Sequence, residues 1–288
     1  MNFFNAVIQA IIQGLTEFLP VSSSGHLSLY QHFSGSSGEG ALFFSAVLHF
    51  GTLAAVFVAF RQRIWGMIKE LGALFKDIFH GQFKWSEMNG NRRMIVMIFF
   101  SCACLLPFAP FLGWFEHFSE DASIMAEGIC FLYTSVILFM SDRCTKGKKT
   151  AEGIELKDSL TIGFMQGVAM LPGVSRSGST ISAGLFSGMT RETCVEYSFI
   201  LGIPVILLGC LKEFKDAVQS TQEIQWGNCA VGFVVAALVG LAAIKMVSWL
   251  VKTDKFKVFA YYTGILGVLV LLISIIEKII GHAIVFGQ

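Results

Sequence analysis

The sequence predicts an all-α integral membrane protein with two inverted-topology repeats, each a re-entrant helix-loop-helix hairpin plus three transmembrane helices. Three observations carry this reading. The 288 residues are 54% hydrophobic and 14% charged, with a mean hydropathy of +0.67, where soluble domains carry roughly 25% charged residues. Several long stretches lack charge and approach the roughly 20 apolar residues that cross a bilayer. Two polar hairpins, around Gln13–His26 and Gln166–Thr180, interrupt this apolar body. The near-neutral net charge of +1 gives no electrostatic footprint for nucleic acid.

Taken in order, Met1–Thr16 lacks Lys and Arg, so no cleaved signal peptide is expected. The first hairpin follows: Pro20 ends one helix, and Ser22–Gly25 opens the next. Spans are expected over Leu42–Phe60, Met94–Phe115 and roughly Ser123–Ser141, with Arg61–Arg93 read as a cation-rich loop. The second hairpin, with a helix expected from Thr180 to Gly188, precedes spans over Val195–Leu211, Cys229–Leu250 and Val258–Ile276. Polar turns at membrane depth survive only where protein or a wet cavity satisfies the backbone. The seven cysteines show no paired metal spacing and read as small apolar residues. The whole reads as a single membrane domain, 1–288, with repeat one over about 1–145 and repeat two over about 155–288.

The duplication rests on a fixed offset. Gln13 recurs as Gln166, Gly25 as Gly178 and Phe44-Ser45 as Tyr197-Ser198, each 153 residues on. Three spans per half is an odd number, so the second half should be inverted. Of the 21 Lys and Arg, 17 fall on one face: those of Arg61–Arg93, of Arg143–Lys157, and Arg191, Lys245, Lys252, Lys255 and Lys257. By the positive-inside rule that face is cytoplasmic. Both termini and the first hairpin then face outward, and the second hairpin enters from the cytoplasm.

The hairpins carry the chemistry. Gln13 and Glu17 share one helix face, and a carboxylate among apolar neighbours marks either a site or a Glu that snorkels or is capped structurally. His26 follows the serine run; it is either a polar residue closing the hairpin or a base within reach of Ser23. The other histidines, His32, His49, His80, His117 and His282, read as bland. Arg176 sits in Pro172-Gly173-Val174-Ser175-Arg176-Ser177-Gly178-Ser179-Thr180. A permanent cation there needs an anion: a phosphate, held by its planar fork and a helix N-terminus, or Glu17 of the other hairpin. Together these groups suit phosphoryl transfer on a lipid with a phosphate head.

The two runs, Gln13–Leu27 and Leu171–Thr180, resemble the signature motifs of the undecaprenyl-diphosphate phosphatase (bacitracin resistance protein) family, and the likeness covers nearly the whole chain. The resemblance implies an inner-membrane enzyme that removes one phosphate from undecaprenyl diphosphate to recycle the cell-wall lipid carrier, with a site open to the outer face. It implies a divalent cation, Mg²⁺ or Ca²⁺, on Glu17 and Gln13. It implies catalytic roles for Glu17, Ser23, His26 and Arg176, and phosphate binding by Ser175, Arg176, Ser177 and Thr180. Many members carry Glu where this chain has Gln13, which leaves Glu17 as the main cation ligand. Ser23 or His26 is the attacking group. The expected partners are a polyprenyl diphosphate lipid and the bilayer, with a homodimer left open. The rival class is a lipid-phosphate transporter using the same phosphate site.

Overall fold

The computed structural model describes residues 2–35, 41–111, 113–114, 124–144, 147–219, 224–253 and 255–285. Every helix and 3-10 turn named among them belongs to one all-helical body, and a single isolated bridge joins Lys149 to Met189. The helices are α1 (Phe3–Thr16), α2 (Ser23–Ser34), α3 (Ala41–Ala59), α4 (Arg61–Phe79), α5 (Gly90–Ala103), α6 (Met125–Asp142), α7 (Leu156–Val168), α8 (Arg176–Phe186), α9 (Arg191–Gln219), α10 (Trp226–Lys252) and α11 (Lys257–Ile280).

Five stretches are long and apolar enough to cross a membrane: Gly90–Phe111, Met125–Asp142, Arg191–Ala217, Trp226–Lys252 and Lys257–Ile280. Helices α3 and α4 meet the same test only when taken together, and they are bent by 85° where they join. The chain is therefore a multi-pass membrane protein. Many apolar side chains of α11 face outward, Ile265, Leu269 and Leu272 among them, as expected where lipid is the solvent. By contrast α1, α2, α7 and α8 have 14, 12, 13 and 11 residues. Each is shorter than the roughly 20 residues a crossing needs, so each pair forms a hairpin. The order of short helix, short helix, long helices occurs in both halves.

Two expectations need correction. Arg61–Arg93 is not a loop, because most of it is α4 and the start of α5. Trp65, Ile68, Leu71, Phe75 and Ile78 recur at helical spacing and are all exposed, an apolar stripe hidden from hydropathy by the cations between them. Arg92 holds α4 to α5 through Glu70 at 3.0 Å and Asp77 at 2.6 Å. Such a helix, turned sharply from its span, suits the lipid–water interface. The span expected over Val195–Leu211 runs longer, as α9, and passes through Pro204; membrane helices tolerate proline where neighbours satisfy the freed backbone. The expected span Met94–Phe115 is described to Phe111, ending in a 3-10 turn over Leu106–Phe111. All seven cysteines are free thiols, three of them buried.

The core lies under the hairpins. Phe18, just past α1, packs edge-on against Phe199 of α9 with ring centroids 5.3 Å apart. Close approach of α3 to α10 requires Gly51, since a Cβ there would lie 2.6 Å from the Phe233 carbonyl oxygen. Gly51→Ala should destabilise the detergent-solubilised protein by about 1–3 kcal/mol, the usual range for overpacking. Gly72→Ala, on open helix surface with nothing within 4 Å, should be neutral or stabilising by about 1 kcal/mol. Thermal unfolding of both variants checks this pair.

Candidate active site

Each hairpin turns on local chemistry. Glu17 ends α1 as its C-cap, and Ser22 starts α2 as N-cap, its hydroxyl accepting from Gly25 N at 3.2 Å. Ser22 has φ of +72°, a left-handed conformation that strains a serine. In the second hairpin Gly173, at φ +89°, makes the turn, and Ser175 caps α8 by accepting from Gly178 N at 3.0 Å. The N-termini of α2 and α8 open onto one cleft lined by Glu17, Ser22, Ser23, Ser24, Ser175, Arg176 and Ser177, with a cavity volume of about 90 Å³. That is well below the roughly 300–1,000 Å³ of drug-sized ligand clefts, room for a phosphate-sized group rather than a long chain. Two helix N-termini, each with a partial positive charge and free N–H groups, favour an anion there.

The hairpins are tied by three contacts. Arg176 Nη2 donates to Glu17 Oε1 at 2.7 Å, Ser177 Oγ donates to the Leu19 carbonyl at 3.1 Å, and Gly173 N donates to Ser24 Oγ at 3.2 Å. Glu17 Oε2 accepts from Gln13 Nε2 at 2.9 Å and from Ser23 Oγ at 3.0 Å. A carboxylate has about four lone-pair sites, so these partners leave roughly one open. Arg176 spends another donor on the Ser198 carbonyl at 3.2 Å and keeps N–H groups for the cleft.

The structure thus brings Gln13, Glu17, Ser23, Ser175, Arg176 and Ser177 together, and the structural pair and the polar site coexist. Two expected residues stand elsewhere. Both ring nitrogens of His26 are engaged away from Ser23. Its Nδ1 donates to the Ser22 carbonyl at 2.7 Å, which can only accept, and its Nε2 meets Tyr262 Oη at 2.7 Å, with the two rings stacked. The expected pairing of His26 with Ser23 is therefore corrected: the Ser23 proton points at Glu17, because the imidazole folds back on its own helix start. Thr180 lies behind the cleft, where its hydroxyl bonds Ser198 Oγ at 2.6 Å and the Arg176 carbonyl at 2.9 Å.

Three groups went unrecognised in sequence. His49 is not bland: its Nε2 lies 3.9 Å from Glu17 Oε2 and its Nδ1 lies 3.8 Å from Glu213 Oε2. Ser198 was visible as the recurrence of Ser45, yet its role beneath Arg176 was not. Tyr262 carried no signal inside an apolar span. His32 pairs with Glu277 at 2.7 Å, away from the cleft, and His117 lies outside the described residues.

For a divalent cation the donor set is sparse. No group of three His, Cys, Asp or Glu side chains that could hold a metal occurs among the described residues. Yet Gln13 Oε1 is buried without a hydrogen-bond partner, beside the carboxylate it supports. One carboxylate and one amide fit a cation that takes its other ligands from water and phosphate oxygens.

Comparisons with known proteins agree with this chemistry. The family described as bacitracin resistance protein BacA matches residues 6–269. Among curated relatives, an undecaprenyl-diphosphatase of Halothermothrix orenii is 33% identical over 277 residues, 95% of this chain and 99% of that protein. An undecaprenyl-diphosphatase 3 of Bacillus cereus is 36% identical over 275 residues, 95% and 98% of the two chains. An undecaprenyl-diphosphatase of Desulforapulum autotrophicum is 36% identical over 283 residues, 96% and 98%.

Arg176→Ala leaves a buried, unpaired carboxylate and should destabilise the protein by about 3–5 kcal/mol. Adding Glu17→Gln should recover a large part of that loss. Thermal unfolding of the two single variants and the double variant measures the coupling.

Proposed function

The chain belongs to the bacitracin resistance protein family, and we propose that the cleft between its two hairpins is the seat of its phosphatase reaction. The enzyme converts undecaprenyl diphosphate to undecaprenyl phosphate and inorganic phosphate, which returns the lipid carrier to cell-wall synthesis. The observation that carries the siting is the Ser23 hydroxyl held on the Glu17 carboxylate beside Arg176.

In this reading the terminal phosphate enters the cleft against the N-termini of α2 and α8. Arg176 holds its oxygens by charge-assisted hydrogen bonds, with Ser175 and Ser177 close by. Ser23 Oγ attacks the terminal phosphorus, and its proton passes to Glu17, 3.0 Å away. The bond to the bridging oxygen breaks, and undecaprenyl phosphate leaves. Water then attacks the phosphoserine: the bond from phosphorus to Ser23 Oγ breaks, the proton held by Glu17 returns to Oγ, and inorganic phosphate leaves with both protons of the water. Thr180 braces the Arg176 backbone instead of touching phosphate. His26 holds the strained start of α2, which sets the direction of Ser23. Glu17 and Gln13 would hold a divalent cation, Mg²⁺ or Ca²⁺, with phosphate oxygens. That cation supplies neutralisation of diphosphate charge.

The orientation follows from the distribution of Lys and Arg. It supports a bacterial inner-membrane protein with both termini outside, two halves of inverted topology and a cleft reached from the outer face. The transporter reading is not favoured: the curated relatives carry a phosphatase name, and translocation has no use for a hydroxyl held on a carboxylate.

Trapping with labelled polyprenyl diphosphate distinguishes the two attacking groups. Label that survives acid and is lost in base identifies phosphoserine at Ser23. Label that survives base and is lost in acid identifies His26 instead. Chelator should abolish phosphate release, and Mg²⁺ should restore it. Gln13→Glu, which adds a second carboxylate, should lower the Mg²⁺ concentration for half-maximal activity. An unchanged or higher concentration would remove Gln13 from the cation site.

A further inference from the structure

The duplication points to a residue that the reaction scheme above does not use. Positions 153 residues apart pair Ser23 with Arg176, Ser45 with Ser198 and His49 with Gly202. In the second half, Arg176 Nη1 donates to the Ser198 carbonyl, and a Cβ on Gly202 would lie 2.5 Å from that same nitrogen. Gly202 is therefore the space the guanidinium occupies. In the first half the pattern is exchanged. The hairpin carries the small Ser23, and the long helix carries the large His49. Its Nδ1 donates to the Ser45 carbonyl at 3.0 Å, the counterpart of the carbonyl that accepts from Arg176.

His49 is in this way the first-half equivalent of the arginine slot, reached from α3 rather than from the hairpin. It lies between two carboxylates. Nε2 is 3.9 Å from Glu17 Oε2, beyond hydrogen-bond length but close enough to confine the carboxylate. Nδ1 is 3.8 Å from Glu213 Oε2, a buried oxygen without a hydrogen-bond partner. Glu213 Oε1 accepts from Ser45 Oγ at 3.3 Å. Glu17 is thus held by Arg176 on Oε1 and faced by His49 on Oε2, the oxygen that takes the Ser23 proton. An apolar side chain at position 49 would leave Oε2 to Gln13 and Ser23 alone.

We propose that His49 is a positioning residue for phosphate transfer. Anchored by Ser45 and Glu213, it fixes the Glu17 carboxylate so that Oε2 stays on Ser23. This rests on the phosphatase reading above. It places part of the machinery on α3 and α9, outside both hairpins, and it requires no direct contact between His49 and substrate.

The test is phosphate release from a polyprenyl diphosphate by the full chain in detergent, with kcat and KM measured separately and thermal unfolding beside them. His49→Leu should lower kcat about tenfold or more, equivalent to about 1.4 kcal/mol of barrier, with KM within about twofold. His49→Gln, whose amide nitrogen reaches the same place, should recover most of kcat. The shorter His49→Asn should not. Glu213→Gln, which loosens the anchor, should lower kcat less than His49→Leu. Should His49→Leu fail to fold, the contrast between the Gln and Asn variants decides alone. Equal kcat in the Gln and Asn variants, or wild-type kcat in His49→Leu, overturns the proposal. A kcat loss that tracks melting temperature in all four variants overturns it too, as packing would then explain it. A wild-type protein that releases no phosphate overturns the phosphatase reading itself, a result distinct from an active wild type with indifferent variants.

Discussion

The buried ion pair between Glu17 and Arg176 is the contact on which the rest of the arrangement depends. Neither hairpin crosses a membrane, so each must end its polar turn inside an apolar body. A lone carboxylate or guanidinium at that depth is expensive to keep charged. Meeting at 2.7 Å, each neutralises the other, and the meeting fixes where the two turns lie. Around it, Ser177 reaches the Leu19 carbonyl and Ser24 accepts from Gly173 N, so the backbone of each turn is satisfied by the other hairpin. A buried pair of this kind contributes little net stability over an apolar contact. What it contributes here is register: it puts Ser23, a carboxylate and a guanidinium around one small cleft.

The two halves share a pattern, and the site comes from where they differ. Glu17 stands where the second half has Met170, Arg176 where the first has Ser23, and His49 where the second has Gly202. Two unchanged copies would have brought like groups together, acid against acid or arginine against arginine. Divergence supplies opposite charges, and it also supplies complementary volumes. The guanidinium needs a glycine opposite it, while the serine leaves room for an imidazole. Gln13 and Gln166 retain the shared residue with different outcomes. Gln13 bonds Glu17, whereas neither polar atom of Gln166 has a hydrogen-bond partner.

Much of this was legible in the sequence, for identifiable reasons. Long uncharged runs predict spans because a bilayer demands length and apolarity together, and all six expected spans have helical counterparts. The hairpins were legible because serine, glycine, proline and charge are conspicuous in an apolar chain. Helix α4 was not, since its Lys and Arg lower mean hydropathy while its apolar residues still follow helical spacing. The misplaced contact was between Ser23 and His26. Three positions apart on a helix, they looked like neighbours, but the His26 ring folds back on the Ser22 carbonyl and turns its far nitrogen to Tyr262. His49 was illegible for the opposite reason. Its partners, Glu17 and Glu213, are distant in sequence, and nothing local marks a histidine in an apolar helix as close to both.

One pair has two duties, joining the hairpins and performing the chemistry. Exchanging the charges, Glu17→Arg with Arg176→Glu, separates them. The doubly exchanged protein should unfold at a higher temperature than either single variant, because opposite charges again meet between the turns. It should release no phosphate from polyprenyl diphosphate, because Ser23 then faces a guanidinium and the cleft a carboxylate. An exchanged protein that hydrolyses substrate at the wild-type rate, or one no more stable than its single variants, would contradict the account.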